Sequence, residues 1–483
     1  MDFGLSGIFE NLSYFINQFA NQDPVSIAMY FFWHGLWVIF LAFFIYQIYE
    51  VWLDGRQGIY ASKWEFVLLA IDIPKNNEQT PKAVENIFQT IAGAHVNFNL
   101  LDIYWTGKIL DSFSFEIVTI EGYIQFLIRT QKKYRDMIEA SVYAQYPDAE
   151  ITEVEDYTQD YAKMKFPNSE YDLWGSEFVL VKDYPFPIKT YKEFEHGLTQ
   201  EFMDPMASLL ENLGRFGPGE QGWMQIVITP RAAGWGETAK KVIKQLAGQS
   251  YTPPQSITDN ILSLPGGFFD GLLKAVFSLF GSGEAAPVKK EENLFKVMNL
   301  TPGEKTVLEK VQEKLAKSNF GFKWRYIYLA KKEVFNKNRG VSGIAGSIKQ
   351  FNSLNCNALK PGGGFSKTSV DYTRVPQRVA QKQNRIMYLY CMRHPVYGDD
   401  PTNHVFNEEE LATVWHFPMM SVKAATLERT ETKKSAPPTR LPYQSVFKKN
   451  IPTPVEPEIS PQLGYQPITE KKKAAPPPNL PVV

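Results

Sequence analysis

Cysteine is almost missing from this chain: Cys356 and Cys391 are the only two in 483 residues. Neither belongs to a CxxC pair or has a histidine at metal-ligand spacing. That argues against a disulfide framework and points to a body held in a reducing compartment. Excess charge of one sign is missing too. A formal net charge of −1 means that attraction to nucleic acid or lipid has to come from a local patch. Catalytic signatures are also absent. A phosphate loop needs Lys directly after its last Gly. The nearest stretch, Gly362-Gly363-Gly364-Phe365-Ser366-Lys367-Thr368, interposes Phe and Ser and reads as a surface loop. No GxGxxG follows a strand, no HExxH occurs, and Gly340-Val341-Ser342-Gly343 lacks the final Gly spacing of a nucleophile elbow. Nothing specific therefore points to an enzyme, a cofactor or a metal.

Histidine is scarce, at positions 34, 95, 196, 394, 404 and 416. His394 and His404 flank a loop containing Asp399 and Asp400, without a recognisable ligand spacing; they read as solvated loop histidines. His416 follows a helical stretch and is expected to cap its C-terminal end, where a cation suits the dipole.

What is present in abundance is aromatic and apolar residues near the N-terminus. No charged side chain occurs between Asp23 and Glu50, and a bilayer core needs about 20 mostly apolar helical residues. Trp33, Trp37, Tyr46, Tyr49 and Trp52 thicken toward one end, as interfacial belts do. A cleaved signal peptide fits poorly, because no basic n-region precedes the run and no small-residue cleavage site follows it. The expectation is one transmembrane helix over 23–53. Arg56 and Lys63 follow it closely while no Lys or Arg precedes it, so the body belongs in the cytoplasm. His34 lies inside the span and reads as a helix contact. Residues 1–22 carry apolar positions at helical spacing and read as an amphipathic helix on the outer leaflet or on a partner.

The body reads as α+β. Residues 64–73 form a buried strand, and Thr80-Pro81 opens a helix. Phe113, Phe115 and Ile117, then Ile124, Phe126 and Ile128, alternate with polar residues around a Glu121-Gly122 turn. A helix follows over 132–144, and a strand over 151–154. Apart from an extra segment at 96–104, this is β-α-β-β-α-β, the ferredoxin-like order. A second unit shows strands at 178–181, 224–228, 322–329 and 386–391. It also has a long helix carrying Leu209, Leu210 and Leu213, and a capping box at Thr301-Pro302-Gly303-Glu304. The expected domains are 60–170 and 171–428, two ferredoxin-like units. A linker at 250–292 interrupts the second. Within it, residues 268–280 read as a helix with a narrow polar stripe, docked in a groove or lying at a membrane.

From Arg429 onward the chain reads as a disordered, Pro/Lys-rich tail with a local net charge of +5. It contains a near-repeat, TETKKSAPPTRLP at 430–442 and TEKKKAAPPPNLP at 469–481. The candidate partner-docking residues are Lys433, Lys434, Pro437, Pro438, Leu441 and Pro442, and in the second copy Lys472, Lys473, Pro476, Pro477, Leu480 and Pro481. Two linked copies raise avidity for an oligomeric partner. The same basic residues could hold nucleic acid or anionic lipid, although Tyr443, Phe447 and Tyr465 are the tail's only aromatics for base stacking.

Several stretches carry a resemblance. They are Phe115-Glu116-Ile117-Val118, the run from Tyr143-Ala144-Gln145-Tyr146-Pro147 to Ile151, Leu300-Thr301-Pro302-Gly303-Glu304, the run from Asn407 to Pro418 ending His416-Phe417-Pro418, and Pro437-Pro438-Thr439-Arg440-Leu441-Pro442. Together they resemble an uncharacterised membrane-anchored region of Patescibacteria-type bacteria, one that also precedes the motor domain in conjugative coupling-type, type IV secretion ATPases. In those chains a motor follows the Pro-Pro-x-x-Leu-Pro element; here only the tail follows. The resemblance implies a non-catalytic scaffold subunit, single-pass in the bacterial inner membrane, working beside a secretion or DNA-transfer ATPase in trans. A second copy of the chain is a further expected partner.

Overall fold

Strand-forming residues that find cover on both faces build a single antiparallel sheet. The computed structural model of the protein describes residues 23–33, 37–74, 77–194, 203–231, 236–246, 300–364, 367–395 and 404–419. The chain divides into two units, Met1–Tyr443 and Gln444–Val483, and every described residue belongs to the first. The helix expected at 1–22, the 250–292 insertion with its 268–280 helix, and the tail from 429 lie outside the described residues.

In chain order the elements are helix α1 (Pro24–Phe31), helix α2 (Trp37–Ala61), β1 (Phe66–Asp72), α3 (Pro81–Ala92), β2 (Phe113–Ile120), β3 (Tyr123–Gln131), α4 (Arg135–Gln145) and β4 (Glu150–Val154). They continue with β5 (Tyr171–Leu180), α5 (Ala207–Gly214), β6 (Glu220–Pro230), α6 (Gly236–Leu246), α7 (Pro302–Leu315), β7 (Asn319–Lys331), α8 (Ile344–Ile348), β8 (Leu359–Pro361), α9 (Val375–Met392), β9 (Val405–Asn407) and α10 (Glu408–Val414).

The strand order is β4-β1-β3-β2-β6-β7-β5-β8, with β9 on the free flank of β7. The first half keeps the β-α-β-β-α-β chain order read from the sequence. The second half follows it with β5, α5, β6, β7, α8 and β8, interrupted by α6 and α7 between β6 and β7, so the sheet reads 4-1-3-2 and then 2-3-1-4. The halves meet where β2 pairs β6 antiparallel, from Phe113↔Ile228 to Ile120↔Gln221. The boundary expected at 170/171 thus falls between strands of one continuous sheet. At the β2–β3 hairpin, Glu121 and Gly122 both have positive φ, 53° and 85°, as a tight two-residue turn of this hand requires.

One face is covered by α3, α4, α5, α8 and α10, which share a core with the inward residues of β1, β2, β3, β6 and β7. The other is covered by α9 and by Tyr157, Tyr161 and Phe166. Helix α9 crosses β5 at Gly175, where an added Cβ would lie 3.0 Å from the Ile386 side chain. The stretch 386–391, expected as a strand, is the last part of α9. Ala380, Gln383, Ile386, Met387, Leu389 and Tyr390 are its buried positions, and the helical spacing of 380, 383, 386, 387 and 390 among them outweighs the strand preference of Tyr388-Leu389-Tyr390. The helix expected to be long around Leu209 has only two turns, Ala207–Gly214, burying Leu209 and Leu213. The segment at 96–104 supplies a one-turn helix at Asp102–Thr106. The capping box at Thr301 and Glu304 is present in both directions.

The run expected to span a membrane holds α1 and the first part of α2, with residues 34–36 outside the described residues. Among the described residues, no helix is long and apolar enough to cross a membrane.

The core is anchored by Trp415, fully buried, with its ring 4.9 Å from Phe115, 5.1 Å from Phe417 and 5.7 Å from Phe126. Truncating so large a buried ring costs about 3–5 kcal/mol. Trp415→Ala is therefore expected to lower the chemical-denaturation midpoint sharply. Leu354→Ala, at a side chain 98% exposed, should stay within about 0.5 kcal/mol of the parent.

Candidate functional site

The densest chemistry in the described residues is a row of polar side chains crossing the second face of the sheet. Glu116 on β2, Gln225 on β6, Arg325 on β7 and Glu177 on β5 stand opposite one another on four adjacent strands. All four are buried. Arg325 donates from Nε to Glu177 at 2.8 Å, and from its terminal nitrogens to the Gln225 side chain and the carbonyls of Leu389 and His394. Gln225 donates to Glu116 at 3.2 Å and to the Tyr390 carbonyl at 3.1 Å. Glu116 also accepts from Ser114 at 2.6 Å and from Tyr157 at 2.8 Å. Arg393, from the end of α9, forks onto both Glu116 oxygens at 2.6 and 3.1 Å and onto Asp156 at 2.7 and 3.0 Å.

Burial and pairing set the charges here. Burial disfavours the charged form of Asp156, but the Arg393 guanidinium outweighs it and holds that carboxyl below the usual range. Burial also works against the charge on Arg393, yet Glu116 and Asp156 raise its pKa well above the ordinary value. Tyr157 and Tyr390, hydrogen-bonded to each other at 2.8 Å, are pushed up by burial and then by the Glu116 charge, so neither serves as a base. Arg129 lies over the Phe66 ring at 3.6 Å, where burial and then the Arg393 charge pull it down to about 10.

Arg393 sits at the helix end with φ 50°, a left-handed position usually given to glycine. The strain there is about 1–2 kcal/mol. An arginine kept at such a position indicates that its fork onto two carboxylates outweighs that strain. With each carboxylate of the row engaged by a cation or donors, the cluster offers no open ligand position. Among the described residues, no three His, Cys, Asp or Glu side chains are grouped to hold a metal. The arrangement ties β2, β5, β6, β7 and α9 together.

The histidines follow the same logic. His404 is buried against the Phe322 ring, 5.7 Å centroid to centroid. His394 is half-buried, and burial followed by the nearby Arg325 pushes it down to about 4. Neither is the solvated loop residue that the sequence suggested, because β9 and the end of α9 fold onto β7; Asp399 and Asp400 lie outside the described residues. His416 does sit at the end of α10, with Nδ1 2.8 Å from the Ala412 carbonyl and Nε2 2.9 Å from Asp204. Each ring nitrogen thus has an oxygen within hydrogen-bond distance. Burial opposes the Asp204 charge, yet the His416 hydrogen bond and charge keep that carboxyl below its ordinary value.

The whole Asn407–Phe417 stretch is buried. Glu410 closes a reciprocal cap with Asn407, accepts from the Ile188 amide at 2.9 Å and pairs with Lys314 at 2.8 Å. Lys317 bridges Glu85 and Glu409. This motif is a plug that locks α10 into the core, with no surface for a partner. The ends of the Gly362–Thr368 stretch are tied to β5, through the Gly362 amide to the Glu177 carbonyl at 2.7 Å and the Thr368 amide to the Gly175 carbonyl at 3.0 Å. The twelve docking candidates from Lys433 to Pro481 lie outside the described residues.

A groove of about 380 Å³ opens where α2 meets the sheet, lined by Tyr60, Lys63, Trp64, Glu65, Gln131, Lys132 and Lys133. Lys133 is engaged by Asp111 at 2.8 Å and Lys132 by Glu65 at 3.4 Å. The family model described as a domain of unknown function, DUF8128, matches residues 63–430. The chain belongs to this family. No curated protein matches it. The DUF8128 match begins just beyond α2 and includes both halves of the sheet, the charged row and the α10 plug, while the apolar run precedes it.

The charged row went unread in the sequence because its members sit on the polar side of each strand's alternation. That side is buried only because α9 covers it. Arg393→Gly would relieve the left-handed strain, worth about 1–2 kcal/mol. It would also strand Glu116, at about 3–5 kcal/mol. A net loss of stability is expected, read as a lower denaturation midpoint; a more stable variant would contradict the assignment. For Asp204 the folded pKa is depressed, so its contribution is complete above the unfolded value near ~4 and fades as pH falls through the folded value. Asp204→Asn should cost about 1.5–3 kcal/mol at pH 7, with the gap to the parent closing on acidification below about pH 4.

Proposed function

We propose that this DUF8128 protein is a non-catalytic, membrane-anchored assembly subunit. In this reading α2 and the run before it hold the body at the cytoplasmic face of a bacterial inner membrane, and the two halves of the sheet are ferredoxin-like units fused into one rigid platform. The observation that carries the reading is the surface of α2. Phe40, Leu41, Phe43, Phe44, Ile45 and Ile48 are each between 47% and 67% exposed. At helical spacing they cover more than half of the circumference. Burying each such side chain is worth up to about 1.5–3 kcal/mol. Six together rival the ~5–15 kcal/mol stability of a whole domain, so a lipid surround is a strongly favoured environment. The polar clusters of the body, engaged internally, fit a platform better than a catalyst.

The tail supplies the partner. Its two Pro-Pro-x-x-Leu-Pro copies resemble the element that joins body to motor in coupling-type ATPases, which supports a secretion or DNA-transfer motor recruited in trans. Oligomers of the chain would match such a motor's symmetry. A second reading rests on the tail's +5 charge: binding of nucleic acid or anionic lipid, which parallel DNA and liposome binding across a salt series separates.

The test is affinity capture from carbonate-washed native membranes, comparing the full-length protein with a chain ending at Arg429. The expected result is retention of both in the membrane, with a secretion-type ATPase recovered only by the full-length protein. Equal recovery by both would sink the tail's role, and loss of the full-length protein to the wash would sink the anchor.

A further inference from the structure

Beside the exit of α2 lies an exposed apolar surface that the sheet does not use. The segment 96–106 leaves Val96, Leu100, Leu101 and Trp105 exposed, Leu101 at 73% and Trp105 at 69%. It is joined to α2 by rings, Tyr104 against Tyr49 at 6.2 Å and Trp105 against Trp52 at 6.5 Å between centroids. Arg56 donates from Nε to the Trp105 carbonyl at 2.9 Å. At Gly107 an added Cβ would lie 2.6 Å from the Arg56 backbone, so the two segments are in direct contact. The apolar surface of α2 thus continues onto this segment through the paired rings, while the Arg56 guanidinium at the same contact is held on the Trp105 carbonyl.

We propose that residues 96–106 are a second membrane contact, a collar seated in the headgroup boundary of the bilayer beside the anchoring helix. The inference rests on the anchor reading and adds to it. Three observations favour lipid over a protein partner. Polar groups of the collar are largely satisfied within the protein. The Asp102 amide is capped by Asn99 at 2.8 Å, its carbonyl accepts from the Lys108 amide at 2.9 Å, and the Asp102 carboxylate, the segment's only charge, pairs with Lys108 at 2.7 Å. Such self-satisfaction is what a low-dielectric neighbour demands. The composition, with Trp52, Tyr49, Tyr104 and Trp105 gathered at one level, is that of an interfacial aromatic belt. The level also fits. Trp52 lies three residues beyond Tyr49, where the uncharged run ends, a rise of about 4.5 Å. The headgroup layer is about 5–8 Å thick on each side of the core. A single helix leaves the tilt and rotation of its cargo free; a second contact removes that freedom and presents the sheet in one orientation.

The test is nitroxide depth measurement on full-length protein in liposomes of mixed neutral and anionic phospholipid, with single labels at Leu101→Cys, Phe44→Cys and Leu354→Cys. The native thiols interfere little, because Cys356 is buried and burial raises Cys391 to about 11, leaving little reactive thiolate. The proposal expects the Leu101 label to collide more often with oxygen than with a water-soluble nickel chelate, at a depth shallower than Phe44, while Leu354 reports water. A lipid-buried Phe44 label with Leu101 in water overturns the collar and leaves the anchor standing. Leu101 in lipid with Phe44 in water overturns the anchor and with it the collar as a second contact, leaving 96–106 as a membrane contact by itself, and both labels in water overturn both. A Leu101 label shielded from oxygen and nickel alike overturns the lipid assignment in favour of a second protein surface.

Discussion

Because β2 and β6 pair along their whole facing lengths, neither half of the sheet retains the edge that would otherwise be open. That pairing turns two four-stranded units into one platform whose middle strands, β2, β6 and β7, are almost entirely buried. Among the described residues, the ends of the main strand path are β4, which carries Glu150 and Glu153, and the three-residue β8, which ends in Pro361, while the three-residue β9 lies off that path against β7. Charges and proline are what discourage further strand addition. The two ends of the strand path thus carry features that disfavour strand addition, and the centre is buried on both faces.

Covering both faces of such a sheet creates a problem that its polar residues solve together. Glu116, Glu177, Arg325 and Arg393 are buried under α9, and a lone buried charge among them would be costly. Each is engaged by an opposite charge, so the cost is offset only when β2, β5, β7 and α9 are all in place. A hydrophobic row of similar volume could be as stable. What the charged row adds is register, since a one-residue slip of any strand moves its member to the other face. The Asp204–His416 and Lys314–Glu410 pairs do the same for the α10 plug on the opposite face.

The first half of the fold was legible in the sequence to within a few residues, because its signals are local. Alternation at 113–128 and the Glu121-Gly122 turn specify a hairpin without reference to anything distant. Thr301 and Glu304 likewise announce a helix start four residues long. Less local features were misjudged. Tyr388-Leu389-Tyr390 has strand composition, and only the preceding turns of α9 make its period helical. His404 looked like a loop residue, and only its neighbours on β7 bury it. The family resemblance rested partly on the 407–418 motif, whose structural role is packing; the tail residues thought to dock a partner lie beyond what the structure describes.

The sequence alone determined the α+β class, the hairpin, the helix caps and the apolar run ahead of the body, since each depends on residues within a few positions of one another. Tertiary structure decided that the two halves share one sheet, that Glu116 faces Arg393 across 277 positions of chain, and that residues 96–106 lie against α2. Those outcomes depend on which strands and segments meet in space. The free energy of meeting belongs to both partners at once, and neither partner's local sequence records it.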